Sequence, residues 1–139
     1  SRLGPRRAPP LLRRIQNDLF DLGAGLSRLR PAPRWKTHPA IQLWPQRVAS
    51  LEAESVRLNR RLPALNSFIL PSGSEAVCLC HLARTVCRRA ERSVVALSGR
   101  DTGSRWAVRF LNRLSDYLFI LSRALARGSP EEPWVPSVS

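Results

Sequence analysis

The chain predicts an all-α fold, an antiparallel helical bundle with short connections. Three observations carry that reading. Apolar residues recur at steps of three and four in four separate stretches. Prolines and glycines, 12 and 7 among 139 residues, cluster between those stretches and stop helices there. No segment shows period-two alternation, a repeat of roughly 20 to 50 residues, or a glycine-rich phosphate loop opening into a helix. A chain of this length can bury a real core as one domain.

Taken in order, residues 1–10 are basic, Pro-rich and aperiodic, and read as a disordered arm. Leu11, Ile15, Leu19, Leu22 and Leu26 give the first amphipathic stripe over 11–27, with Asp18 and Asp21 off it. Gly23 and Gly25 weaken its end. Pro31, Pro33 and Pro39 make 28–40 a surface loop. Trp44, Val48, Leu51, Ser55, Leu58 and Leu62 carry the second helix, over 41–62. Pro45 belongs in its first turn, so the helix starts near Leu43. Residues 63–73 connect two helices and are unusually apolar for a loop. Phe68, Ile69 and Leu70 either cover the bundle end or line a ligand pocket. Ser74 caps a third helix over 74–97, with Glu75 at its positive end. Ser104 caps a fourth over 105–127, whose core stripe is Leu111, Leu114, Leu118, Leu121 and Leu125, with Gly128 as its stop. The helical domain is expected over 11–128 and an irregular tail over 129–139.

The net charge is +13, almost all of it arginine, since Lys36 is the single lysine. Such an excess favours anionic partners. No apolar run reaches the roughly 18 to 20 residues of a membrane span, so no membrane partner is expected. Without a known nucleic-acid motif or aromatic interleaving, no nucleic-acid partner is expected either. Three cysteines, Cys78, Cys80 and Cys87, fall in one helix and read as reduced core thiols. With them and only His38 and His81, no protein-built metal site is expected.

Arg84, Arg88 and Arg92 stand at i, i+4 and i+8, close to one line along the third helix. Leu82, Val86, Ala90 and Val94 form the apolar line beside them, read here as the core face. A guanidinium row binds carboxylate or phosphate oxygens in pairs. On the fourth helix, Asn112, Arg113 and Asp116 lie beside the leucine stripe and should be partly buried, hence paired. Glu91 with Arg113, and Asp116 with an arginine of the third helix, are the natural pairings. Arg89, Glu91, Arg113 and Asp116 therefore read as interhelical ion pairs, and Arg84, Arg88 and Asn112 as a donor row for a ligand.

Two of these stretches, His81-Leu-Ala-Arg-Thr-Val-Cys-Arg-Arg-Ala-Glu-Arg92 and Leu111-Asn-Arg-Leu-Ser-Asp-Tyr-Leu-Phe119, closely resemble the PduO-type ATP:cob(I)alamin adenosyltransferase family. Phe68-Ile-Leu-Pro-Ser-Gly73 resembles its apolar loop. Ile15-Gln-Asn-Asp-Leu-Phe-Asp-Leu-Gly23 and Leu51-Glu-Ala-Glu54 match its earlier helices. The resemblance implies a five-helix bundle forming a homotrimer with sites between subunits. It implies transfer of the 5′-deoxyadenosyl group of ATP to cob(I)alamin, with Mg²⁺ accompanying the triphosphate. Arg84 and Arg88 then look like ATP-binding arginines, Arg84 catalytic in steadying the leaving triphosphate. Asn112 looks like a nucleotide contact. Phe68 looks like the catalytic aromatic that fills the space beneath the corrin. A corrinoid reductase or an acceptor enzyme is an implied partner, and the mitochondrial matrix the implied compartment, with bacterial cytoplasm as the alternative.

The sequence departs from the family pattern in several places. The segment before Leu11 has one glycine, Gly4, and no threonine, where the family has a Gly/Thr-rich phosphate loop and a helix with an Asp-Glu pair. Val56 stands where an acid is common, and Ser72 where a glycine is common. The acid expected to pair with Arg84 across the interface is missing. These departures and the absence of methionine lead us to expect an N-terminally truncated chain, four helices of five, weak or inactive alone. The competing readings are a non-enzymatic basic helical interaction module and a corrinoid-binding remnant.

Overall fold

The computed structural model describes residues 9–27, 39–97 and 102–137. The basic arm up to residue 8, most of the proline-rich loop with His38, and most of the 98–103 turn lie outside the described residues. The described residues form four helices in chain order: α1 (Pro10–Ser27), α2 (Pro39–Asn59), α3 (Glu75–Leu97) and α4 (Thr102–Leu125). The fold is all-α, as expected. No described helix is long and apolar enough to cross a membrane.

The chain divides into two compact units, residues 1–42 and 43–139. In the first, α1 runs unbroken through Gly23 and Gly25, and the Ser27 hydroxyl donates to the Ala24 carbonyl at 2.9 Å. Its buried residues are Ile15, Asp18, Leu22 and Gly25. Asp18 is thus inside and Leu19 half-exposed, the reverse of the expectation.

The second unit is built around α3 packed antiparallel on α4. Trp44 of α2 and Phe110 of α4 are its best-buried large side chains. Their rings meet edge to face at 5.3 Å and 67°, a geometry worth roughly 0.5–1.5 kcal/mol beyond the area buried. Val48, Leu51, Leu111 and Leu114 complete this centre, and Tyr117 is buried beside it.

Helix ends differ from the sequence expectation for identifiable reasons. α2 begins at Pro39, whose missing N–H costs nothing in a first turn, and carries Pro45 inside it. It stops at Asn59 because Pro63 disfavours helix before it. Its last turn tightens, with Arg61 N–H donating to the Leu58 carbonyl at 3.2 Å and Leu62 N–H to the Asn59 carbonyl at 3.1 Å. At the start of α3, Ser74 Oγ accepts from the Val77 N–H at 3.4 Å, the expected cap. α4 starts earlier than expected, at Thr102, so Ser104 is a buried residue of its first turn and no cap. Gly128, at φ +85°, takes the left-handed conformation past the end of α4 that a Cβ would strain.

Two stripes sit elsewhere than the leucine pattern predicts. On α3 the buried residues are Val77, Cys80, His81, Cys87 and Val94, whereas Leu82 and Val86 are exposed. On α4, Leu111 and Leu114 are buried, but Leu125 is half-exposed and Ala107, Ser115 and Ser122 are buried in its place.

Candidate functional site

The α3–α4 seam decides where the polar residues go. Val77, Cys80, Arg84, Cys87, Glu91 and Val94 step by three and four along the α3 face turned to α4. Arg84 and Glu91 therefore occupy stripe positions, and both are partly buried. The Arg84 guanidinium carbon lies 5.0 Å from the centroid of the Phe119 ring, a cation–π contact. One α3 segment further, Asn112 Nδ2 donates to Glu91 Oε1 at 3.2 Å. Seven residues along α3 thus answer seven along α4 in the opposite sense. Arg84 and Asn112 mark the two ends of a run of about 10 Å, given the 1.5 Å rise of a helix. Arg88 lies between them in sequence and is exposed.

Between those contacts, the Cys87 thiol donates to the Leu111 carbonyl at 3.1 Å. Burial, the largest cause, and the Glu91 carboxylate push this thiol up to about 11; the Asp116 charge adds to the rise, while Arg88 opposes it. It stays protonated and acts as a core residue.

The expected ion pairs are rearranged. Arg113 does not meet Glu91; its Nε donates to Glu52 of α2 at 2.9 Å and its Nη1 to Asp116 at 3.5 Å. Asp116 accordingly pairs within α4 and not with α3. Arg113 and Asp116 are exposed, because at these positions α4 turns away from α3. Glu91 instead serves Asn112. Arg89 lies on the exposed side of α3, where its carbonyl accepts from the Ser93 hydroxyl at 3.1 Å, and no ion pair joins it to another described residue.

Phe68 is exposed, at 78 % of its possible surface. Its backbone is nevertheless held, since its carbonyl accepts from the Trp134 N–H at 2.7 Å. The two rings meet edge to face at 6.0 Å and 73°. Behind this loop lies a small cavity of about 80 Å³, lined among others by Ile69, Leu70, His81, Ser122 and Arg123. His81 is buried, and its ring meets Phe119 at 6.4 Å and 64°. Burial, and secondarily the Arg84 charge, hold its pKa below the usual histidine value. His81 therefore links the back of the Phe68 loop to the ring on which Arg84 rests. A wider groove of about 490 Å³ opens on the α2–α4 side of the same Phe119, among Glu52, Val56, Arg113 and Asp116.

Three residues of this region escape sequence reasoning. Phe119 looks like one more core aromatic, yet its ring carries both Arg84 and His81. Arg123 looks like a basic helix end but is buried and paired with Glu131 at 2.7 Å. Trp134 falls in the tail read as irregular, yet the tail pairs with the loop, with an antiparallel bridge between Ile69 and Pro133. A lone tryptophan flanked by prolines was the only signal available.

Comparison with known proteins gives one consistent result. The family model described as cobalamin adenosyltransferase matches residues 4–125. A corrinoid adenosyltransferase of Mycobacterium tuberculosis is 46% identical over 128 residues, covering 91% of this chain and 65% of the relative. That of Mycobacterium leprae is 45% identical over 122 residues, covering 86% of this chain and 64% of the relative. The chain thus spans just under two thirds of the length of these relatives. Among solved structures, an Arg-to-Lys variant of a PduO-type ATP:co(I)rrinoid adenosyltransferase from Lactobacillus reuteri, complexed with ATP, superposes with a TM-score of 0.77 at 31% identity. It covers 91% of this chain and 70% of that one. A Phe-to-Ala variant from the same organism, complexed with cobalamin and ATP, gives 0.75 at 33% identity, covering 88% and 67%.

Proposed function

The chain belongs to the cobalamin adenosyltransferase family, and from that premise we infer that it works in the transfer of the 5′-deoxyadenosyl group of ATP to the cobalt of a reduced corrinoid. The Co(I) electron pair forms the cobalt–carbon bond, the C5′–O bond breaks, and that pair leaves on the triphosphate. No proton has to move at the reacting carbon, so the chain's task is to hold, orient and stabilise. Arg84 and Arg88 bind phosphate oxygens and stabilise charge on the leaving triphosphate. Asn112 contacts the nucleotide from α4. Phe68 fills the space under the corrin and keeps a lower ligand off the cobalt.

The observation that carries this reading is the α3–α4 seam, which holds a partly buried arginine and a carboxylate-held amide, with an exposed arginine one turn along α3 from the first. An exposed phenylalanine on a tied-down loop accompanies it. Such a ring in water is explained by something flat and apolar that covers it. No group of three or more His, Cys, Asp or Glu among the described residues is placed to hold a metal. Mg²⁺ in this reading arrives on the triphosphate, which suits its preference for phosphate oxygens and water.

A homotrimer is part of the proposal. Leu79, Leu82 and Val86 form an exposed apolar row along α3 that a neighbouring subunit can cover. A corrinoid reductase or acceptor enzyme is the further partner. The free thiols fit a reducing compartment, the mitochondrial matrix or bacterial cytoplasm.

Calorimetric titration with Mg-ATP tests the site. The Arg84→Ala change should weaken ATP binding by about 10- to 100-fold, the worth of a charged hydrogen-bonding pair. Arg84→Lys should recover only part of it, because an ammonium cannot bind two oxygens side by side. Unchanged affinity in Arg84→Ala would remove Arg84 from the site.

A further inference from the structure

Phe68 sits on a loop that the rest of the molecule holds indirectly. The ladder beneath it is minimal: Leu70 N–H donates to the Glu132 carbonyl and Trp134 N–H to the Phe68 carbonyl, both at 2.7 Å. The Ser72 hydroxyl adds a bond to Glu132 Oε2 at 3.0 Å. Pro133, opposite Ile69, has no N–H to give. Two short extended segments joined this way are not stable in water alone, so the pairing needs an anchor.

Arg123, in the last turn of α4, supplies that anchor. Its side chain is buried, and its donors are directed at two segments far apart in sequence. Nε donates to Glu131 Oε1 at 2.7 Å, and Nη2 to the Pro63 carbonyl at 2.8 Å. Pro63 opens the connector that contains Phe68, and Glu131 opens the tail that pairs with it. One guanidinium thus fixes the root of the loop and the root of its strap on one helix end. Among the described residues, the ring that meets Phe68 is Trp134, which belongs to the same tail segment as Glu131.

We propose that Arg123 is a positioning residue for Phe68, acting through residues 131–134 as a strap whose Trp134 sets the Phe68 ring ready for the corrinoid. This rests on the reading of Phe68 given above and extends it to residues that touch neither substrate. A loose loop would lose ordering entropy each time a corrinoid bound; a strapped loop has lost it already. The strap should therefore affect corrinoid affinity and leave nucleotide affinity alone.

Three variants of the full chain separate the outcomes: Trp134→Ala, Trp134→Phe, and the double change Arg123→Met with Glu131→Met. The double change removes the ion pair without leaving one charge buried and alone. Amide exchange is read at Leu70 and Trp134. Binding of cob(II)alamin to the ATP-loaded chain is read by absorbance, and ATP binding by calorimetry. In the parent chain, Leu70 should exchange at least about tenfold more slowly than Ser67. Trp134→Ala should weaken cob(II)alamin binding about tenfold with ATP affinity within about twofold, and Trp134→Phe should restore most of it. The double change should speed exchange at Leu70 and weaken cob(II)alamin binding in the same way. Equal losses for ATP and corrinoid, or none for corrinoid, would overturn the positioning role. A fast Leu70 amide in the parent chain would overturn the strap itself. A parent chain that takes up ATP but no cob(II)alamin would overturn the reading of Phe68, whatever the exchange rates.

Discussion

His81 and the three cysteines show how position on one helix decides chemistry at the scale of single residues. His81 is held neutral by burial and by the neighbouring Arg84 charge, so its pKa in the fold lies below its ordinary value of 6.5. The unfolded chain then takes up the proton first as pH falls. Stability from this group is whole above 6.5 and is lost as pH drops from there to the lower folded value, with no further loss beyond. Urea midpoints measured across that window should fall for the parent chain and fall less for a His81→Leu variant. Equal slopes would show that His81 does not titrate as described. The thiols divide in a parallel way. Cys78 is exposed, whereas burial raises both Cys80 and Cys87, the latter to about 11. Alkylation by iodoacetamide at pH 8 should yield one adduct, mapped to Cys78, and three after denaturation. An adduct at Cys87 in the folded chain would contradict the thiol–carbonyl contact with Leu111.

Helix identity was legible from apolar spacing, but the rotation of a helix about its own axis was not always. α3 explains why. Its seam toward α4 contains Arg84 and Glu91, polar residues that a hydrophobic pattern counts against burial. The pattern therefore selects Leu82 and Val86, which the fold leaves outside. The seam tolerates the arginine because Phe119 offers an aromatic face, and the glutamate because Asn112 offers an amide. Neither partner can be assigned before the antiparallel register is known, which is also why Arg113 looks from sequence like the partner of Glu91. The arginine row and the apolar loop were legible as unusual features, since their types are costly where they stand. α2 was simpler, because Trp44, Val48 and Leu51 of its stripe do face inward, and on α4 Leu111 and Leu114 do so while Leu125 does not. Phe110 is fully buried against Trp44, so Phe110→Ala should cost about 3–5 kcal/mol in urea unfolding. A loss under about 1 kcal/mol would mean that this centre is not the core of its unit.

The charge of +13 belongs to the whole chain, and its distribution distinguishes the two main readings of function. Several acids are occupied by structural arginines: Glu54 by Arg57, Glu52 and Asp116 by Arg113, Glu131 by Arg123. Arg88, Arg89 and Arg92 remain exposed on α3, with no ion pair to another described residue. A polyanion such as DNA can engage these arginines and the many others together. Its affinity then falls by about 10³- to 10⁵-fold between 50 and 200 mM salt, if six to ten phosphates are neutralised. A bound triphosphate meets few cations in a fixed geometry, partly shielded from water, so its affinity should fall far less steeply. Titrations with Mg-ATP and with random-sequence duplex DNA over that salt range should show this contrast. ATP binding should persist at 200 mM and weaken about 10- to 100-fold in Arg84→Ala, while DNA binding should be lost at 200 mM and barely respond to Arg84→Ala. Duplex binding that survives 200 mM salt and is indifferent to ATP would mean that the arginines serve a nucleic-acid surface. The α3 row would then be an exposed basic face and no grip on a triphosphate.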